Sequence, residues 1–231
     1  MLGVYDYTVV LTYLSLISAA SGIIVSLSDG GHPYLGIMFL LLCGLFDAFD
    51  GKVANSKKNR TDFEKKFGIQ IDSLSDLVAF GVLPATIGVA CLRVSPFLQS
   101  LSLFDHGKWN SWAVKLIFYG VLVLYTLAAL IRLAYFNVTE EERQAKEGGV
   151  RKVYTGLPVT SASLIFPFIM ILNYILPIDI SILYIPVAAI TAGCFLGKFT
   201  IPKLHLKGIL VLIGIGVLEF ICLIVTHFFF R

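Results

Sequence analysis

Uncharged apolar stretches divide the chain into lengths that suit a bilayer. Residues 7–28, 30–46, 77–92, 116–131, 153–178 and 180–197 carry no Asp, Glu, Lys or Arg, and residues 208–230 carry only Glu219. A helix crossing the hydrocarbon core needs about 20 mostly apolar residues. The pattern therefore predicts about seven spans (six to eight), near 7–28, 33–54, 69–92, 112–137, 156–176, 179–197 and 208–229. Turn-forming residues fall between them: Asp29-Gly30-Gly31 and Pro33 separate the first two spans, and Pro177 and Asp179 separate the fifth and sixth. The expected fold is all-α, a polytopic transmembrane helix bundle forming one membrane-embedded domain over 1–231.

Composition agrees. Apolar residues make up 57% of the chain and charged residues 14%, against roughly 45–50% and about 25% in a soluble domain. An ordinary soluble globule and a disordered chain are both excluded. The first stretch has no basic leader and no small-residue cleavage site, so it reads as a retained helix. Cys43, Cys91, Cys194 and Cys222 lie in apolar runs with no C-x-x-C pair, as buried small hydrophobes would. The net charge of +3 gives no argument for a nucleic-acid partner.

The distribution of cations sets the orientation. The 50–68 connector holds Lys52, Lys57, Lys58, Arg60, Lys65 and Lys66; the 139–155 connector holds Arg143, Lys146, Arg151 and Lys152; the 198–207 connector holds Lys198, Lys203 and Lys207. These are alternate loops, so they share one side, expected to be cytoplasmic. The opposite side has only Arg93, Lys108, Lys115 and Arg231. The N-terminus is then expected inside and the C-terminus outside a multi-pass protein of the cell membrane. Gly193 and Gly197 form a lone G-x-x-x-G, a weak indication of a helix contact.

Charges at membrane depth are costly and usually functional. Asp47 and Asp50 stand i, i+3 at the cytoplasmic end of span two, with Gly51 beside them and Ala54 continuing the stripe. Asp72 and Asp76 stand i, i+4 at the start of span three, with Gly68 one turn before. Each pair occupies one helix face. The short basic loop makes the two helices antiparallel, so four carboxylates can converge on one site. Left alone they would repel. Divalent cations resolve this with hard oxygen ligands, and two such ions form a phosphoryl-transfer clamp. The bare backbone at Gly51 and Gly68 leaves room for a bulky ligand such as a nucleotide. The competing reading is that the aspartates are simply solvated near the helix ends.

These residues resemble a known signature. Asp47-Ala48-Phe49-Asp50-Gly51-Lys52-Val53-Ala54, followed by Gly68, Asp72 and Asp76, is similar to the D-x-x-D-G-x-x-A-R…G-x-x-x-D-x-x-x-D pattern of the CDP-alcohol phosphotransferases. Two departures stand out: Asn55 replaces the arginine, and the Ser56–Phe67 spacer is four residues longer than the pattern's eight. Lys57, Lys58 and Arg60 are candidates to replace the missing cation. The stretch from Phe67 to Ala85, the segment Ile131-Arg132-Leu133-Ala134-Tyr135-Phe136-Asn137 and the turn Gly156-Leu157-Pro158 resemble the phosphatidylserine synthase branch of that family. The resemblance covers about 8–170, a catalytic core followed by additional apolar helices over 179–230.

The resemblance implies a CDP-diacylglycerol–serine O-phosphatidyltransferase reaction, with active site facing the cytoplasm. The substrates it implies are CDP-diacylglycerol (or its ether analogue CDP-archaeol) and L-serine. It also implies two divalent cations per site (Mg2+ or Mn2+, with Ca2+ a third candidate) and a homodimer in the lipid bilayer. Carried over by position, Asp47, Asp50, Asp72 and Asp76 are metal ligands, and Asp76 is also the catalytic base. Gly51, Ala54 and Gly68 line the cytidine side.

Among the remaining polar residues, Arg132 lies deep in span four and is the first candidate to pair a serine carboxylate; partnership with an aspartate is the alternative. Arg151 is a second candidate, and with Lys152 it serves equally as a topology marker. Ser15, with Thr12 and Ser18 on one stripe, either donates to the nucleotide or bonds back to its own helix. Asn137, off the Arg132 face, has a weak claim, and Glu219 is an interhelix contact candidate. His32, His106, His205 and His227 have no ligand spacing and read as background. Two alternatives remain open: the same chemistry with glycerol 3-phosphate or inositol phosphate as acceptor, and a cation transporter. The latter is disfavoured because the acids sit at helix ends and no repeat is visible.

Overall fold

The computed structural model describes residues 2–28, 32–96, 109–146, 153–176, 179, 181–202 and 206–229, and among these described residues the chain forms seven helical rods. The Asp29-Gly30-Gly31 turn, Pro177, Lys108, Arg151, Lys152, Lys203, His106, His205 and Arg231 lie outside these described residues. Helix α1 is Val10–Leu27 and α2 is Pro33–Ser56. The third rod is α3 (Asp62–Asp76), a π turn (Leu77–Val82) and α4 (Leu83–Val94) in one run. Then come α5 (Trp109–Lys146), α6 (Ala162–Ile175), α7 (Tyr184–Leu196) and α8 (Leu206–Phe229). The rods Val10–Leu27, Pro33–Ser56, Asp62–Val94 and Val114–Lys146 are long and apolar enough to cross a bilayer. The last three helices carry shorter apolar stretches of 10–17 residues. The chain is a helical membrane protein, as the charge-free runs predicted.

Two boundaries differ from those expectations. Helix α5 continues past the predicted end at 137 to Lys146, where Arg143 and Glu140 form a 2.6 Å ion pair one turn apart. The predicted fifth span starts too early. Val153–Thr155 is a β-strand (β1) paired antiparallel with Thr200–Pro202 (β2), and a short 3-10 turn at Val159–Ser161 precedes α6. Gly156 takes φ +74°, and a Cβ there would meet the Gly197 carbonyl at 2.8 Å, so only glycine fits this turn. Pro158 then blocks an earlier helical start. Uncharged sequence alone cannot separate such a strand and turn from a span. Gly193 of the G-x-x-x-G faces open space, so no helix packs on it among the described residues.

The β1–β2 pairing joins the connectors 139–155 and 198–207 at one end of the bundle. Lys57 bridges Asp6 at 2.6 Å, bringing the segment before α1 to the 50–68 connector. The basic loops therefore gather at one end, as alternation required.

The core forms where α5, α6 and α7 meet the third rod. Tyr125, Phe166, Tyr184 and Phe195 are fully buried and in ring contact, with Tyr125 edge-on to Phe166 at 5.5 Å and Phe166 stacked on Tyr184 at 4.7 Å. In a bilayer, packing and interhelical hydrogen bonds replace the hydrophobic drive between rods. Both buried tyrosine hydroxyls donate to the third rod: Tyr125 to the Phe80 carbonyl at 2.6 Å and Tyr184 to the Pro84 carbonyl at 2.7 Å.

Candidate active site

The position of the acids begins with how α3 starts. Thr61 Oγ1 accepts from the Glu64 backbone N–H at 3.2 Å, and a Glu64 carboxylate oxygen accepts from the Thr61 N–H at 2.7 Å. This reciprocal cap, with Asp62 and Glu64 in the first turn, fixes the first residue of α3 and hence the phase of everything after it. Lys57 adds a clasp, reaching Glu64 at 2.7 Å as well as Asp6. Outside the membrane, the Lys57 ammonium and the Thr8 contacts hold the Asp6 carboxyl down at about 2, and Lys57 lowers Glu64 also.

The far end of α3 is fixed by the π turn. Its wide geometry brings the Leu83 N–H to the Val78 carbonyl. Pro84 has no N–H to offer the preceding turn. Two side chains of α5 hold the turn instead: the Tyr125 hydroxyl donates to the Phe80 carbonyl at 2.6 Å, and Thr126 Oγ1 donates to the Gly81 carbonyl at 3.2 Å. Ser75 donates to the Thr12 carbonyl of α1 at 3.2 Å, and Asn137 of α5 donates to Ser73 Oγ at 2.7 Å. Asn137 thus grips the residue next to Asp72. Spacing from Arg132 along α5 carries no information about this contact with another helix.

Held this way, the acids of α2 and α3 meet in two facing pairs. Asp47 lies against Asp76, and Asp50 against Asp72. An i, i+3 pair on one rod faces an i, i+4 pair on an antiparallel one, so the matches run crosswise. Among the described residues none of the four is ion-paired to a lysine or arginine. No three acidic, His or Cys side chains already form a closed ligand group there either. Facing carboxylates with no protein cation between them fit hard divalent ions, which supply the missing charge and take oxygen ligands.

A cavity of about 980 Å³ opens from this point. Asp47, Asp50, Gly51, Asp76 and Arg132 lie on its wall, with Lys52 and Asn55 at the same end. Gly51 has nothing near where a side chain would be. Arg132 is 5% exposed, donates Nε–H to the Leu157 carbonyl at 3.1 Å and lies 5.9 Å from the Phe136 ring. Apart from Thr160, Ser161 and Ser163, the rest of the cavity is apolar, lined by residues such as Leu41 and Leu45 of α2, Leu164 of α6, and Leu212, Gly216 and Phe220 of α8. The contribution of α8 carried no sequence signal, because its residues read as generic span.

The other singled-out residues lie around this wall. Asp72 stands behind it, against Asp50. Ala54 and Gly68 sit beside it, and Arg60 lies over them: its guanidinium donates to the Ala54 carbonyl at 3.5 Å and the Glu64 carbonyl at 3.1 Å. Ser15 is buried between α1 and α2, where its carbonyl accepts from the Cys43 thiol at 3.4 Å, away from the cavity. Ser18 donates across the same interface to the Phe39 carbonyl. Glu219 is buried on α8, and its Oε2 has no partner among the described residues. Arg151 lies outside the described residues.

Comparison with known proteins matches the chain to a family. The CDP-alcohol phosphatidyltransferase family matches residues 8–197. An archaetidylserine synthase of Methanothermobacter thermautotrophicus is 33% identical over 153 residues, covering 65% of this chain and 52% of that protein. A CDP-diacylglycerol–serine O-phosphatidyltransferase of Saccharomyces cerevisiae is 32% identical over 156 residues, covering 64% and 48%. Another of that name from Mycobacterium tuberculosis is 25% identical over 153 residues, covering 66% and 44%. The chain thus spans about half the length of the curated relatives it matches. With paired acids at the joint of two antiparallel rods and a family match over most of its length, the chain belongs to the CDP-alcohol phosphatidyltransferase family.

Proposed function

We propose that this protein transfers the phosphatidyl group of a CDP-linked lipid to the hydroxyl of L-serine, releasing CMP. The observation that carries the reading is the placement of the crossed acid pairs at the polar end of a cavity whose remainder is mostly apolar. A CDP-lipid has this shape, a charged nucleotide head on long hydrocarbon chains. The names of the relatives support serine as acceptor and a diacylglycerol or archaeol lipid as donor.

Asp47, Asp50, Asp72 and Asp76 would hold two divalent cations, Mg2+ or Mn2+. When bound, these supply positive charge to the phosphate oxygens and to the departing CMP. The protein's own groups do the rest. Asp76 accepts the proton of the serine hydroxyl as its oxygen bonds to the lipid-side phosphorus. The bond from that phosphorus to the bridging oxygen breaks, and CMP leaves with the electron pair. Arg132, held by the Leu157 carbonyl on the cavity wall, pairs the serine carboxylate. Gly51, Ala54 and Gly68 face the cytidine, and Ser15 steadies α1 against α2 behind Asp47. The basic loops put this end at the cytoplasmic face of the cell membrane, and the protein acts as a homodimer.

An acceptor screen tests the reading. Purified protein with CDP-diacylglycerol and a divalent cation is expected to release CMP with L-serine and not with glycerol 3-phosphate or inositol phosphate. Release with a phosphorylated acceptor alone would move the assignment to that alcohol, and release without acceptor would remove serine transfer.

A further inference from the structure

The 57–61 loop carries three cations near the acid site, and the structure separates them. Lys57 is engaged by Asp6 and Glu64. Lys58 is exposed. Arg60 alone turns back over the small-residue stripe of Ala54 and Gly68. A Cβ on Gly68 would lie 2.6 Å from Arg60 Nη2, so the missing side chain at 68 is what admits the guanidinium. Among the described residues this guanidinium meets only carbonyl oxygens, and its buried Nε meets no acceptor. Arginine keeps its charge and prefers planar, two-oxygen partners such as carboxylate and phosphate. An arginine resting on neutral carbonyls beside four carboxylates retains its capacity for an anion.

Resting on the transferase reading above, we infer that Arg60 binds the diphosphate of the CDP-linked substrate, taking over from the long loop the cation that Asn55 lacks. Asn55 is a short neutral amide on the cavity wall. The lengthened spacer is what lets a residue five positions later return to the same stripe. The ligand is the nucleotide side of the donor lipid, so Arg60 acts on donor binding and not on the acceptor alcohol.

Steady-state kinetics of the full chain in detergent micelles test this, with CDP-diacylglycerol and L-serine varied separately. Arg60→Gln is expected to raise the KM for CDP-diacylglycerol about 10- to 100-fold, the range of a lost charge-assisted hydrogen bond, with the serine KM unchanged. Arg60→Lys should recover part of that loss. An unchanged CDP-diacylglycerol KM in Arg60→Gln, with an active parent, overturns the assignment. So does a rise of both KM values with a lowered thermal midpoint that lysine does not repair, the mark of a structural role. If the unmodified protein releases no CMP with any acceptor, the transferase reading itself falls and takes Arg60 with it.

Discussion

Helix α2 has two unlike faces. Toward α1 and α4 it is packed at backbone distance: a Cβ on Gly22 would meet Phe39 Cβ at 2.8 Å, and one on Gly36 would collide with Ser26 and lie 2.8 Å from Ile87. Toward α8 it borders open volume, where a Cβ on Gly216 would find only Leu164 at 3.4 Å and Leu41 at 4.0 Å. The close face holds α2 to the third rod, whose acids then meet in register. The loose face leaves room for a ligand. One helix thus separates rigidity needed at the reacting centre from space needed by a hydrocarbon substrate, and small residues mean opposite things on its two sides.

Substitutions can break this contrast. The largest effect is expected at the acid site. Asp76→Asn should lower kcat about 10²- to 10⁴-fold, the usual loss for a missing general base, with the thermal midpoint not lowered. A kcat within tenfold of the parent would remove Asp76 from the chemistry. Next comes the contrast itself. Gly36→Leu should destabilise by about 1–3 kcal/mol or prevent folding, as overpacking does. Gly216→Leu should leave the thermal midpoint in place and raise the KM for long-chain CDP-lipids more than for short-chain ones. Equal loss of stability in both would show that the two faces are packed alike.

A smaller change is expected from Tyr125→Phe. It removes the bond to the Phe80 carbonyl at a cost of about 0.5–1.5 kcal/mol, seen as a lowered midpoint together with a reduced kcat. The smallest concerns the clasp. Lys57 lowers the Asp6 carboxyl from its ordinary 3.8 to about 2. Its contribution is therefore present above about pH 4 and lost as pH falls through about 2. Asp6→Asn should lower the midpoint slightly at neutral pH, and the difference from the parent should vanish by about pH 2; a difference that persists there would argue against the ion pair.

The rods and the face shared by each acid pair were legible because each depends on one helix at a time. Charge-free length gives a rod, and i, i+3 or i, i+4 spacing gives a face. What was not legible depends on partners distant in sequence. The β1–β2 pairing brings Tyr154 to Ile201. Asn137 matters because Ser73 is across from it, and Phe220 lines the cavity because α8 docks beside α2. Arg60 was one of three equal candidates until Glu64 and Asp6 claimed Lys57.

The π turn at Leu77–Val82 acts as a gear between the two halves of one rod. Each residue in an α-helix advances the azimuth by roughly 100°. Deleting a single residue while the turn keeps its geometry would leave hydropathy and helical content nearly unchanged, yet swing Asp72 and Asp76 by about that angle relative to the buried face of α4. A chain so shortened would still look like a membrane helix to any hydropathy scan while aiming its acids at lipid or at α1.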